Sequence, residues 1–155
     1  MPNASPLVPQ AVIRPAHVDD ADALADLFGQ LGYPATKQEV RARLPTRSGS
    51  GNALCLVAEQ GGRVAGVIEL HLIDPLHVPG RWALVSALVV REDLRGAGIG
   101  AFLLAAAERL AWEAGCSHVE LSSNERRTRA HVFYERQGFE EVRKRFVKRR
   151  PSSWR

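Results

Sequence analysis

Val89-Val90-Arg91-Glu92-Asp93-Leu94-Arg95-Gly96-Ala97-Gly98-Ile99-Gly100 is the stretch on which the reading of this chain turns. An apolar strand end gives way to a short charged turn, and three glycines then fall within five residues. Directly after them Ile99, Phe102, Leu103, Ala106 and Leu110 recur at helical spacing, closed by Gly115. Each glycine at a helix start loses about 0.5–1 kcal/mol relative to alanine, so this run needs a compensating gain. Glycines remove the Cβ atoms that would block a ligand and leave backbone N–H groups open at the positive end of the helix. The result is an anion site suited to a pyrophosphate, and Arg95 adds a full charge at its mouth.

Two other phosphate loops fit less well. Gly96–Ala101 also satisfies the dinucleotide fingerprint G-x-G-x-x-G/A, with Glu120 lying 20 residues beyond Gly100. That fingerprint should follow its strand directly, yet Arg91–Leu94 intervene. Only 55 residues remain after Gly100, too few for the rest of a doubly wound sheet, and Glu120 sits inside a strand rather than at its end. A P-loop fails because no Gly-Lys-Ser/Thr follows.

Outward from the loop, the chain reads as a mixture of hairpins and helices. Ala11–Arg14 is a short strand, and Asp19, Asp20 and Asp22 open a helix at its positive end, with Ala23, Leu24, Leu27, Phe28 and Leu31 on one face. Gly32 and Pro34 stop it. Thr36-Lys37-Gln38-Glu39 has capping-box spacing and starts a second short helix, stopped by Pro45 and followed by a flexible loop over 46–52. Leu54–Glu59, the turn Gln60-Gly61-Gly62 and Arg63–Ile73 form a hairpin. The loop Asp74–Gly80 leads to a strand over Trp82–Val90, and His118–Leu121, a helix over Thr128–Gln137 ended by Gly138, and a last strand over Glu141–Lys148 complete the order. The order β-α-α-β-β-β-α-β-α-β predicts an α+β (α/β mixed) fold in one domain, a central mixed twisted sheet of about six or seven strands flanked by about four helices. Residues 1–10 read as a flexible lead-in, 11–148 as the domain and 149–155 as a basic tail. Trp82 and Trp112 are expected in the core.

Composition narrows the function classes. At 155 residues the chain suits a single core that needs no disulfide staples. Its two separated cysteines, Cys55 and Cys116, suggest neither a disulfide framework nor a zinc site and fit a reducing cytoplasm. No metal is expected, since His17, His77, His118 and His131 lack ligand spacing. Apolar runs fall far short of the roughly 20 residues a membrane span needs. Of the 21 basic residues, seven lie in 143–155, so residues 1–142 hold 14 bases against 17 acids. A basic tail attracts polyanions, but with Phe146 and Trp154 as its only aromatics it argues against nucleic-acid binding as the main role.

Two separate motifs carry a family resemblance. Arg95-Gly96-Ala97-Gly98-Ile99-Gly100 is similar to the Arg/Gln-x-x-Gly-x-Gly/Ala motif of the GCN5-related N-acetyltransferase (GNAT) superfamily, and Asn124…Ala130-His131-Val132-Phe133-Tyr134…Gly138-Phe139 resembles that family's second signature. The element order agrees from Ala11 to Lys148; Glu92 departs from the proline common there. The resemblance implies an acetyl-CoA-dependent transferase. In it the strand ending in Leu88-Val89-Val90 would splay from His118–Leu121 and take the pantetheine arm against its main chain. Residues 95–100 would hold the pyrophosphate, Asn124 would reach the cofactor's arm, and a homodimer is a possibility.

Acetyl transfer needs a neutral amine. Deprotonating a lysine-like amine of pKa about 10.4 at pH 7 costs about 4.6 kcal/mol, so a base is useful. Glu69 and His71 are two apart on one strand and share a face; Glu69 is the preferred base and His71 the second, against the reading of a surface-facing polar pair. By the resemblance, Tyr134 would protonate the departing sulfur; it also suits a core aromatic packed with Phe133 and Phe139. Arg126, Arg127 and Arg129 suit either a solvated helix start or the cofactor's outer phosphate. No cysteine lies near the motifs, which favours direct transfer in a ternary complex. The acceptor, a small-molecule or peptide amine, should be framed by the Gly29–Asn52 region and the Asp74–Gly80 loop, whose mixed charge points to no single substrate. A non-catalytic acetyl-CoA sensor or scaffold is the alternative.

Overall fold

Alternating apolar residues lay down five strands, β1 Val12–Pro15, β2 Ala53–Gln60, β3 Arg63–Ile73, β4 Arg81–Val90 and β5 Cys116–Leu121, in a computed structural model that describes residues 10–47 and 51–154. The expected lead-in over 1–10, apart from Gln10, and positions 48–50 of the expected 46–52 loop lie outside the described residues. Residues Leu44–Arg47 form a short 3₁₀ turn that runs through the expected stop at Pro45 into the loop expected from 46. The chain divides after Ser122 into two compact units, each taken by itself below.

In the first unit the strands lie side by side in chain order. Neighbours are antiparallel from β1 to β4, and β4 pairs with β5 in parallel. A parallel pair needs a crossover, and α3 (Ile99–Glu113) supplies it. Helix α1 (Ala21–Leu31) ends at Gly32, whose φ of 95° is the left-handed conformation that closes a helix. Helix α2 (Lys37–Arg43) begins with the expected capping box, in which Thr36 Oγ1 accepts from Glu39 N and Thr36 N donates to Glu39 Oε2.

The two faces of the sheet have different coverings. Leu24 and Leu27 of α1, with Val40 and Leu44, pack on Cys55, Val57, Val67 and Val89. A fully buried leucine contributes roughly 1.5–3 kcal/mol. Gly66 faces the other way, because a Cβ on it would come 3.0 Å from both Leu103 Cδ1 and Val89 O. That glycine lets α3 settle on the sheet with Leu103, Leu104, Ala107 and Ala111 buried. Alternation along β3 then puts Val67, Glu69 and His71 on the face of α1 and α2. Arg14 on β1 donates to both carboxylate oxygens of buried Asp20, each at 2.8 Å, and ties the sheet's edge to the entry of α1.

The second unit holds α4 (Thr128–Arg136) and the chain after it. Phe133 and Phe139 meet Tyr134 edge to face, with ring centroids 5.3 and 5.8 Å apart. Two expectations are corrected. The strand expected over Glu141–Lys148 does not form, so the described sheet has five strands rather than six or seven. Paired as a strand, Val142 and Phe146 would share one face with Lys144 and Lys148 while Val147 would lie on the other, so the pattern offers no single apolar face to bury; Phe146 is 91% exposed. Trp112 was expected in the core but is 51% exposed. The inward stripe of α3 runs through Ala107 and Ala111, and the next residue turns about 100° away from it. Trp82 is half-buried and stacks on His118.

Candidate active site

Two departures from regular pairing shape the end of β4. Glu69 is opposite Ala87 and Leu70 opposite Val85, so Ser86 is an extra residue that bulges the strand. Pairing with β5 stops at Val85↔Leu121. Ser86–Val90 thus continue with a strand neighbour on the β3 side alone, among the described residues. Val89 points into the core under α1 and α2, whereas the main chain of Leu88, Val89 and Val90 keeps an edge free of strand pairing. A linear chain of amides can bond to such an edge.

The loop beyond is held from both ends. Arg91 N donates to Ala65 O at 2.8 Å, and Arg91 pairs with Asp93 at 2.6 Å, which offsets a negative charge near the loop. A 3₁₀ turn over Glu92–Leu94 follows, and Arg95 Nε turns back to Val90 O at 3.2 Å. Gly96 and Gly98 both have φ of 84°. A Cβ at Gly96 would meet nothing within 4 Å, so glycine is required there by the backbone conformation rather than by a crowding neighbour. Gly98 is the N-cap of α3, no side chain caps the helix, and its first turn carries no acid. The first-turn N–H groups are therefore left without a side-chain cap, with the positive end of the helix behind them. Arg95, Gly96, Ala97 and Gly98 are exposed, Ile99 is buried as an anchor, and Gly100 lies inside the first turn. This donor set fits a pyrophosphate.

Beside the strand edge is a pocket of about 260 Å³ whose lining includes Phe28, Tyr33, Arg43, Cys55, Glu69 and Ser86. Glu69 is 21% exposed and lies 3.4 Å from His71 Nε2, which also meets Ser86 Oγ at 2.9 Å. The expected pair on one face is thus present, and Glu69 lines a pocket rather than facing bulk solvent. Because Glu69 is opposite Ala87, it is one residue from Leu88 and the free edge. The register also puts Cys55 directly across from Glu69, so a cysteine does lie at this pocket although none is near the motifs in sequence.

In the second unit, Asn124 Oδ1 accepts from Arg126 N at 2.9 Å, a turn that leads into α4. His131 and Arg127 bond to Asn124 O. Burial pushes the Tyr134 hydroxyl above its ordinary pKa, against a smaller opposing pull from Arg127. Among the described residues that hydroxyl makes no hydrogen bond, and Ser123 Oγ is buried without a partner. Arg126, Arg127 and Arg129 are exposed.

Tyr33 and Arg43 fall in the 29–52 region expected to frame the acceptor but were not singled out there, the Asp74–Gly80 loop contributes nothing to this pocket, and Ser86 and Ser123 were not anticipated. A capping box announced α2 but not which of its residues faces the pocket, and no residue type announces the bulge. Among the described residues no group of three or more His, Cys, Asp or Glu could hold a metal, and no helix is long and apolar enough to cross a membrane.

Known proteins resemble the chain in both sequence and fold. The model of the acetyltransferase (GNAT) family matches residues 21–139. An aminoalkylphosphonate N-acetyltransferase from Salmonella typhimurium is 34% identical over 147 residues, spanning 92% of this chain and 93% of the relative. A transcriptional regulator from Bacillus halodurans superimposes with a TM-score of 0.80 at 23% identity, over 90% of this chain and 99% of its own. Glucosamine-6-phosphate N-acetyltransferase from Arabidopsis thaliana gives a TM-score of 0.77 at 22% identity, over 90% and 97%. At those identities the two structures speak for the fold alone.

Proposed function

Because this chain belongs to the acetyltransferase (GNAT) family and is an N-acetyltransferase, we propose that it moves the acetyl group of acetyl-CoA directly onto a small primary amine, with an aminoalkylphosphonate as first candidate. The observation that carries the reading is the register of Glu69 against Ala87, which sets a carboxylate in a pocket one residue from the free edge at Leu88. An amine in that pocket would lie beside the acyl group of a donor extended along the edge. The acceptor class rests on the name of the Salmonella relative.

Acetyl-CoA supplies an activated acyl carbon and a thiolate leaving group. The chain's residues bind, orient and move protons. First-turn N–H groups of α3 and Arg95 hold the pyrophosphate through Gly96, Ala97, Gly98, Ile99 and Gly100. The main chain of Leu88, Val89 and Val90 aligns the arm, and Asn124 steadies it. Glu69, directly or through water, takes the proton the amine must lose, and His71 stands behind it at 3.4 Å. Tyr134 returns a proton to the sulfur; its hydroxyl is protonated at neutral pH, as an ordinary tyrosine's is, and burial raises its pKa further. A thiol pKa near 8.5 lies below tyrosine's near 10, so this last transfer assists departure rather than enabling it. Buried, free cysteines fit a reducing cytoplasm.

The test is amine-dependent thiol release. Purified protein with acetyl-CoA and a panel of aminoalkylphosphonates, amino acids, polyamines and peptides should release free thiol with the phosphonates above the no-acceptor rate. Release with another class alone would move the acceptor assignment; binding of acetyl-CoA with no release would oppose the catalytic reading of these residues.

A further inference from the structure

The pocket beside Glu69 has charge at two places and little between them. Leu24, Phe28, Leu31, Ala35, Val40 and Leu44 make most of its wall, with Glu69 on the sheet side and Arg43 on the helix side. Several arginines of the first unit are committed within the protein, Arg14 to Asp20 and Glu59, Arg81 to Asp74, and Arg91 to Asp93, and the exposed Arg41 and Arg63 lie outside this pocket. The Arg43 guanidinium makes no hydrogen bond or ion pair among the described residues. Glu39, one turn back along α2, is taken up by the N–H of Thr36 and contributes only a longer-range attraction. Arg43 is the last residue of α2, so its cation also stands where that helix is negative. That placement favours a cation but leaves its donors unused.

A ligand whose amine meets Glu69 must point its other end toward the helices. There it meets an arginine fork and the Tyr33 ring. A second ammonium at that end, as in a polyamine, would be repelled. A methyl would leave the guanidinium without a partner while restricting its water. An oxyanion with several oxygens matches the planar fork and can accept two N–H bonds at once. About 260 Å³ suits a short two-ended molecule.

We propose that Arg43 is the specificity-determining residue, holding the phosphonate of a short zwitterionic acceptor while Glu69 receives its amine. This rests on the reading of the Glu69 pocket as the acceptor site. The measurement is steady-state kinetics with 2-aminoethylphosphonate and with n-propylamine, which keeps the amine and loses the anion. Wild-type protein favours the phosphonate in kcat/KM. Arg43→Gln raises KM for the phosphonate on the order of ten- to a hundredfold, the loss of a charge-assisted bond, with a much smaller change in kcat. Arg43→Lys recovers part of it, since charge returns without the fork. Arg41→Gln removes the same charge from an exposed position on α2 outside the pocket and should leave the KM unchanged, which separates contact from long-range steering. An unchanged KM in Arg43→Gln, with the wild-type preference intact, overturns the Arg43 assignment and leaves the acceptor class standing. Equal use of both amines by wild type overturns the anionic acceptor itself, and no acetylation of either overturns the reading beneath both.

Discussion

Replacing Gly98 by valine should injure donor binding far more than it injures the fold. Gly98 sits at φ 84°, ψ 5°, where a side chain with a Cβ costs about 1–2 kcal/mol and a β-branched one tends toward the upper end. The chain must relieve that strain on one side or the other. Downstream, Ile99 is 2% exposed and anchored in the core, so the helix cannot shift cheaply. Upstream, Arg95–Gly98 are exposed, and the distortion concentrates there, among the N–H groups assigned to the pyrophosphate. Losing one charge-assisted bond to a phosphate oxygen is worth about 1.5–3 kcal/mol, or roughly a 10- to 150-fold rise in Kd. Calorimetric titration with acetyl-CoA measures that rise, and urea denaturation of the same samples measures the stability cost. Gly62→Val is the control: φ is 75° in the turn between β2 and β3, with nothing within 4 Å of a Cβ. It should lose comparable stability and keep the Kd of wild type. Wild-type affinity in Gly98→Val, alongside a loss of stability, would refute the assignment of this loop.

Other outcomes follow from the same geometry. Glu69→Gln should lower kcat at pH 7 by on the order of 10²–10⁴, and the deficit should shrink as pH approaches the amine's pKa near 10; no loss at pH 7 would remove Glu69 as the base. Tyr134→Phe should slow turnover on the order of 10²-fold. Since burial holds the folded hydroxyl's pKa above its ordinary value, that ratio should stay flat between about pH 7 and 9, and an unchanged rate would sink the assignment. Asp20→Asn should destabilise the fold by about 1.5–3 kcal/mol at pH 7. Arg14 holds the Asp20 carboxyl below its ordinary range, so this contribution is complete above about pH 4 and fades as pH falls through the lowered folded value. Urea melts showing the same gap at pH 7 and well below pH 3 would contradict it. Cys55→Ala should keep kcat/KM within a few-fold, and intact-protein mass spectrometry after incubation with acetyl-CoA alone should show no acetylated chain.

What the sequence made legible was local chemistry. Three glycines before a helical pattern mark a loop whose left-handed conformations at Gly96 and Gly98 are then seen, and Thr36 with Glu39 announces the start of α2. Spacing of two along β3 placed Glu69 and His71 on one face, which the 3.4 Å contact bears out. Pairing between distant segments was not legible. Nothing in the residue types says that Ser86 bulges or that Cys55 faces Glu69, because register depends on which strands meet. Glu141–Lys148 holds strand-forming residues and yet forms no strand for a related reason: the pattern sets Val142 and Phe146 on one face with Lys144 and Lys148, and Val147 on the other. Trp112 shows the same weakness on a helix, where one residue's shift separates a buried stripe from solvent. Arg43 lies in the 29–52 region expected to frame the acceptor, but its role was not legible because a helix-terminal arginine usually serves the helix dipole alone.

Initial-rate kinetics with acetyl-CoA and 2-aminoethylphosphonate both varied tests the central claim most directly. The account predicts intersecting double-reciprocal lines and no thiol release without the amine, as a ternary complex on the free edge of β4 and the Glu69 pocket requires. Parallel lines with acetylated Cys55, or thiol release independent of amine, would contradict it.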